Sequence, residues 1–411
     1  MGMAVKQFGA GLLLVIAPLC RAQDWPQWRG PQRDGVVNDF AAPTVWPDKL
    51  KLVWKTPVGG GYSSPVVSQG KVWLHTRQDE HEVVSCFDYN TGKLLWSQSY
   101  ASGFNKNQYA TQMGKGPFST PVLYQGHLYT LGISAVLSCY DAATGALKWR
   151  KDFGAPNTSK MFCGTAMSPL IEGGNIIVHV GDDLRGGQML ALNAKTGQER
   201  WKLACDGPGY ASPILATLGG TRQLVTMTRK SVIGVAAQSG QLLWTLPWPD
   251  EWDENIVTPL QFKDLLILAG VRKGTLAVRV TKQAAQWQTQ QVWHNAELTM
   301  YLNSPVLAGE YLYGFTNKRK GQLFCLDAAT GKVLWTTEGR TGESAALLNT
   351  PTALLMLTAD ANLLAVQKSA QGFKQLAKYA VADSATYAHP VVSGKRILVK
   401  DEAALALWSL E

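Results

Sequence analysis

The 411-residue chain lacks the local signatures on which most enzyme classes depend. It has no Gly-x-Ser-x-Gly elbow, no metalloprotease helix and no phosphate-cradling glycine loop, so hydrolase, zinc-protease and P-loop chemistry have no starting point. Its six cysteines are never paired with histidines at metal-ligand spacing, which argues against structural zinc, and no two cysteines are adjacent. No low-complexity tail is present. Beyond the N-terminus no apolar run approaches the roughly 20 residues of a membrane helix, so the mature chain is expected to carry no transmembrane span. A nucleic-acid motif is also missing.

The one long apolar run, Phe8 to Leu19, follows Lys6 and precedes the small residue Ala22. Residues 1–22 therefore read as a secretory signal peptide cleaved near Ala22, leaving a periplasmic or secreted chain. Cys20 offers a lipoprotein alternative, but Leu19 is bulkier than the residue such processing wants there. Cleavage removes Lys6 and Arg21 and no acid, lowering the formal charge of +9 by two, a mild preference for anionic partners. Five cysteines remain. An odd count in an exported protein leaves at least one thiol free or paired between molecules.

Aligned against itself, the chain shows DYNTGKLLW, DAATGALKW, NAKTGQERW, AAQSGQLLW and DAATGKVLW, with glycine four residues before Trp96, Trp149, Trp201, Trp244 and Trp335. Each is a tight polar turn in which glycine supplies a positive φ, flanked by alternating apolar residues that mark a hairpin. A small residue, such as Cys86, Cys139, Ala191, Gly234 or Cys325, stands two positions before each turn, as a packing site would require. A Ser, Thr, Asn or His followed by proline opens a further strand at Pro65, Pro121, Pro169, Pro213, Pro259, Pro305, Pro351 and Pro390. Their spacings of 39 to 56 residues fit four short strands per unit. The expected fold is all-β, an eight-bladed β-propeller of four-stranded antiparallel blades over residues 51–411. Outer strands are marked by Trp96, Trp149, Trp201, Trp244, Trp293, Trp335 and a degenerate strand near Tyr379. The missing one is supplied by KLVWKTPV with Trp54, an N-terminal strand that closes the last blade and leaves no open edge.

These units resemble the PQQ-like repeat (pyrroloquinoline-quinone-type) shared by quinoprotein dehydrogenases and non-enzymatic BamB-type assembly factors. The pattern of Asp-x-x-Thr-Gly-Lys followed by Trp matches at Asp88–Trp96 and Asp327–Trp335, and the resemblance covers nearly everything from Lys51 to Leu410. It implies that each tryptophan docks on the neighbouring blade. The fifth blade departs by lacking the glycine turn before Trp293, and the seventh by lacking a clear first hairpin and the tryptophan. The opening DWPQWRGPQRDGV is similar to the N-terminal wrap of stand-alone exported members, which makes residues 23–50 a wrapping segment in which Trp25 and Trp28 cover propeller surface.

Antiparallel blades of four strands put the uniform Thr-Gly turns on one face and the long, unlike inter-blade links on the other, where binding is expected. Three consecutive tips on that face carry Arg229 and Lys230, then Arg272 and Lys273, then Lys318, Arg319 and Lys320. They read either as solvated hairpin ends or as a basic sector for an anionic partner. In the loop of residues 250–255, Trp252, Asp253 and Glu254 offer an aromatic and carboxylates, although without a calcium-loop spacing. Tyr109 marks the longest link, and His389 beside Pro390 is placed at the central channel; His75 and His179 are assigned to packing. The function expected is a non-catalytic, monomeric scaffold for a protein or glycan of the cell envelope, with no cofactor. The alternative is a PQQ-dependent oxidoreductase of alcohols or sugars, which would need PQQ with calcium and, in its alcohol-oxidising relatives, an adjacent cysteine pair.

Overall fold

The computed structural model describes residues 24–105, 107–110, 114–154, 163–182, 186–252 and 254–411, so the signal-peptide assignment lies outside the described residues. Eight four-stranded antiparallel sheets are arranged as blades. Seven use four consecutive strands, as in the first blade: Val66–Ser68, Lys71–Gln78, His81–Asp88 and Leu94–Ala101. The eighth takes Val391–Ser393, Arg396–Lys400 and Ala404–Ser409 and is completed by Lys51–Pro57, which pairs antiparallel with Ala404–Ser409. The propeller and its closure by the N-terminal strand are thus as the repeats required. The apolar core is not single. It is divided into clusters between neighbouring sheets, for instance between the second and third blades around Tyr129, Leu131, Val178 and Leu190.

Two contacts repeat around the ring and join each blade to the next. On the outside, an indole lies against the glycine of the next blade's turn. A Cβ on Gly92 would come within 2.6 Å of Trp54, one on Gly145 within 2.6 Å of Trp96, one on Gly240 within 2.5 Å of Trp201, and one on Gly331 within 2.5 Å of Trp293. The same indoles donate Nε1–H to a backbone carbonyl of that turn: Trp54 to Tyr89 at 2.9 Å, Trp96 to Ala142 at 3.2 Å, Trp149 to Ala194 at 3.0 Å. Glycine is therefore required twice, for its φ of about +70° and for the bare face that receives the ring. The small residue before each turn is explained by register, since Cys86 faces Trp96, Cys139 faces Trp149, Ala191 faces Trp201 and Cys325 faces Trp335 across the outer strand pair. None of the five described cysteines forms a disulfide.

On the inside, the hydroxyl before five of the eight opening prolines accepts an N–H from the preceding blade. Ser64 donates to Thr120 at 3.2 Å, Thr120 to Ser168 at 3.0 Å, Ser168 to Ser212 at 2.9 Å, Thr258 to Ser304 at 3.2 Å, and His389 to Ser64 at 2.8 Å. The two irregular blades find substitutes. With no glycine turn in the fifth blade, Trp244 turns back to Gln223 of its own sheet over Gly234. Trp335 reaches Ser369 at 2.8 Å and packs edge-on to Phe373 at 6.2 Å. The seventh blade does have its first hairpin, Ala345–Asn349 with Ala353–Thr358, turned by the Thr350 hydroxyl on Ala353 instead of by glycine.

Residues 24–41 do more than cover a surface. Trp25 bridges Val67 through both backbone groups, Pro26 accepts from Leu123, Arg33 donates to Ser168 and Pro169, Trp28 to Thr258, and Arg29 to Pro305. Val37 and Gly35 bracket Asn349, and Ala41 and Asp39 hold Gly394. Seven of the eight blades are touched. The segment enters from the Thr-Gly face, rises along the channel to Trp28 and returns.

The outer contact predicts a separable penalty for substituting its glycine. Gly145 and Gly126 share a φ of +76° and +75°, but a Cβ on Gly126 meets nothing within 4 Å. Gly126→Ala should cost only the backbone strain, about 1 kcal/mol, whereas Gly145→Ala should cost about 1–3 kcal/mol more by displacing Trp96. Equal unfolding free energies for the two variants in denaturant titrations would refute the glycine–indole interlock.

Candidate binding site at the channel mouth

The inserted segment stops short of the loop-rich face and leaves a cavity of about 140 Å³ above it. Trp28 and His389 line its base, with ring centroids 4.6 Å apart and edge to face. Tyr62, Phe118 and Tyr387 form one wall, Tyr62 lying 5.7 Å from Phe118 and 4.8 Å from Tyr387. Tyr301 and Glu254 belong to the opposite side, with the Tyr301 hydroxyl donating to Glu254 at 3.3 Å. The walls belong to inter-blade links, and the residues three places before the opening prolines supply much of the lining: Tyr62, Phe118, Ala166, Tyr210, Ile256 and Tyr387. The hydroxyl belt holds those links at fixed spacing, so the cavity is a product of the repeat.

Its electrostatics are set by burial. Arg29 and Arg33 are buried beneath Trp28, bonded to carbonyls and the Gln27 side chain. Burial pushes the Arg33 guanidinium down to about 9 and the Arg29 guanidinium to about 10, where Asp34 opposes the shift, so both remain cationic at neutral pH. Burial, helped by the charge of Arg29, pushes the His389 imidazole down to about 3, and it is neutral. Glu254 accepts from Arg272 at 2.9 Å. That guanidinium also holds Asp250, whose carboxylate stays below its usual range although burial alone would raise it, because Arg272 and the backbone N–H groups of Glu254 and Trp252 bind it.

The residues singled out in the sequence fall in three places. His389 and Glu254 line the cavity. Tyr109 and Trp252 are exposed at 76% and 64%, in the links that carry Phe118 and Glu254 respectively. The basic tips stand around the rim, but not as seven free cations: Arg272 is paired as above, Lys318 is 2.6 Å from Glu297, and Lys273 lies 6.0 Å over Trp248. The Arg229 carbonyl is held by Asn255, whose amide also caps Thr228 and Trp248. The side chains of Lys230, Arg319 and Lys320 make no ion pair among the described residues, although the Lys230 backbone N–H is held by the Asp206 carboxylate at 2.8 Å. Asp253 lies outside the described residues. No cluster of three metal-ligating side chains occurs among the described residues. The assignment of His75 to packing was too simple. It is fully buried with Nε2 3.3 Å from Glu82, whose carboxylate also accepts Tyr100 and the N–H of Ile133. Its sequence neighbours, the buried Leu74 and Thr76, gave no sign of that pair.

The family profile described as outer membrane protein assembly factor BamB matches residues 80–337. The assembly factor BamB of Yersinia pestis is 26% identical over 202 residues, 47% of each chain, and that of Burkholderia pseudomallei 27% over 256 residues, 59% of this chain and 58% of the relative. The chain therefore spans about half the length of the curated relatives it matches. A quinohemoprotein alcohol dehydrogenase of Pseudomonas putida is 28% identical over 143 residues, 33% of this chain and 17% of the enzyme. Among solved structures, BamB of Moraxella catarrhalis superposes with a TM-score of 0.60 at 16% identity, over 88% of this chain and 99% of that one. The Pseudomonas putida dehydrogenase gives 0.66 at 13%, over 94% and 80%. At these identities the superpositions show a shared fold.

The buried histidines make stability depend on pH. His389 is depressed to about 3 and His179, by burial, to about 4. Both are neutral in the fold, while in the unfolded chain they protonate near pH 6.5. Their stabilisation is complete above that pH and is lost as pH falls toward the folded values, about 1.4 kcal/mol per pH unit for each. Between pH 7 and 5 each should remove about 2 kcal/mol, and His389→Gln should roughly halve the loss. An unfolding free energy that stays flat over this range would contradict both buried neutral states.

Proposed function

Because the chain belongs to the outer membrane protein assembly factor BamB family, we propose that it is an exported, non-catalytic platform that binds a protein partner in the cell envelope. The observation that carries this reading is the plugged channel. Residues 24–41 occupy the axis, and an aromatic cavity of about 140 Å³ remains at the mouth among the long links. A rigid ring presenting varied loops on one face suits recognition of a macromolecule. Among the described residues no helix is long and apolar enough to cross a membrane. A glycan is the other class of partner this face would suit, through its rings and hydroxyls.

The cavity does not suit PQQ, the cofactor of the quinoprotein dehydrogenases. PQQ is a tricyclic tricarboxylate, whereas a cavity of about 140 Å³ compares with the roughly 150 Å³ that holds one benzene ring. Its charged lining is Glu254, already paired with Arg272, and the neutral His389 supplies no cation to a carboxylate. The residues present therefore do not fit the cofactor.

A photo-reactive amino acid at Tyr109 or Trp252 should cross-link an envelope protein in cells, while one at Lys148, on the outer strand of the second blade, should not. Cross-linking from Lys148 alone would move the interface off the loop face. Saturable PQQ binding with calcium in calorimetry would overturn the non-catalytic reading.

A further inference from the structure

We infer that the channel-mouth cavity is the anchor pocket of the interaction surface, and that it takes one aromatic side chain from an acidic, extended segment of the partner protein. This rests on the platform reading above. The pocket is the size of one ring, and its walls are the faces and edges of Tyr62, Phe118, Tyr387 and Trp28, against which a benzene or phenol ring gains both burial and ring–ring contact. A free small molecule of that size would leave the aromatic surface outside the mouth bare. Tyr109 and Trp252 project there at 76% and 64% exposure, from links on either side of the ring, and an extended chain crossing the mouth covers them.

The sign of the partner follows from the rim. Lys230, Lys273, Arg319 and Lys320 stand on three consecutive tips and lack a carboxylate within ion-pair distance among the described residues. Arg319 and Lys320 are exposed on a turn with φ of +51° and +61°, which holds their backbone apart from regular structure at the tip. The tips are fastened to the cavity wall: Asn255, next to Glu254, is bonded to the Thr228 and Arg229 carbonyls, and Arg272 grips Glu254 itself. Arg272 offsets one of the two charges of Glu254 and Asp250, so against the remaining one, the exposed Glu251 and Asp206, which accepts the Lys230 N–H, the four cations still leave the rim net positive. Acidic residues flanking the anchor would meet those four cations.

The probe is a capped peptide, Glu-Asp-Phe-Asp-Glu, titrated into the mature full-length protein. Replacing its Phe by Ala should weaken binding at least tenfold, as loss of one buried ring requires. Ala166→Trp, which fills the cavity from its wall, should do the same with an unchanged melting temperature. Combining Lys230→Gln, Lys273→Gln, Arg319→Gln and Lys320→Gln should weaken binding and flatten its dependence on salt. A Lys-flanked Phe peptide should bind worse than the acidic one. The inference is overturned if the acidic peptide shows no binding at millimolar concentration, if the Phe→Ala peptide binds equally, or if Lys flanks are preferred; the peptide comparisons decide even if Ala166→Trp fails to fold. Undiminished capture of the envelope partner by a folded Ala166→Trp protein would sink the anchor pocket while leaving the platform reading intact.

Discussion

The ring depends on an indole that can lie flat on a backbone. Sheets packed face to face would slide were apolar burial their only bond, because burial has no direction. The tryptophan of one blade, resting on the glycine of the next turn with Nε1–H on its carbonyl, adds direction and a fixed spacing. Much of the sequence follows from that contact. Gly145 must lack a Cβ, Cys139 must be small because it faces Trp149 across the sheet, and Asp141 must close the turn by accepting the N–H and hydroxyl of Thr144. Trp54 makes the same contact with the first blade from the N-terminal strand, so closure of the ring repeats the ordinary blade contact.

This local character explains what was legible before any coordinates. Turn, glycine and tryptophan lie within nine residues of one another, so the blades and their number could be read directly, and so could the strand that completes the eighth. The same holds for His389, whose place before Pro390 put it at the axis. The cavity was harder to read because its walls come from links remote in sequence and unlike in length. A signal was nevertheless present: Tyr62, Phe118, Tyr210 and Tyr387 all stand three residues before an opening proline. Periodicity places that residue on the channel side of a link, but only closure of the ring brings Phe118 against Tyr62. Charge pairing was invisible for a similar reason. Arg272 and Asp250 are 22 residues apart and meet because a hairpin tip folds over a link.

The inserted N-terminal segment changes the meaning of the central channel. In a propeller the inner strands cannot meet at the axis, and the space must be filled by side chains, solvent, ligand or another part of the chain. Here Trp25, Trp28, Arg29 and Arg33 fill it. Burying two arginines is costly, and the cost is offset through geometry, because the Arg33 guanidinium forks onto the Ser168 and Pro169 carbonyls while Arg29 reaches Pro305 in the sixth blade. A lysine has the charge but not the fork. The pair thus ties the plug to well-separated points on the channel wall and holds Trp28 at the base of the mouth.

Where the interlock fails, the ring is held differently, and the departures fall beside the surface that matters. The fourth and fifth blades, where Trp244 stays on Gln223 of its own sheet and Trp287 packs across on Gly219, are the blades whose link carries Trp252 and Glu254. Without an indole on a glycine turn to fix their spacing, the Arg272 grip on Asp250 and Glu254, and Asn255 on three carbonyls, take over on the opposite face. Charge that would otherwise be free for a ligand is therefore spent on holding the link, which leaves the rim cations of Lys230, Lys273, Arg319 and Lys320 as the part of this sector open to a partner.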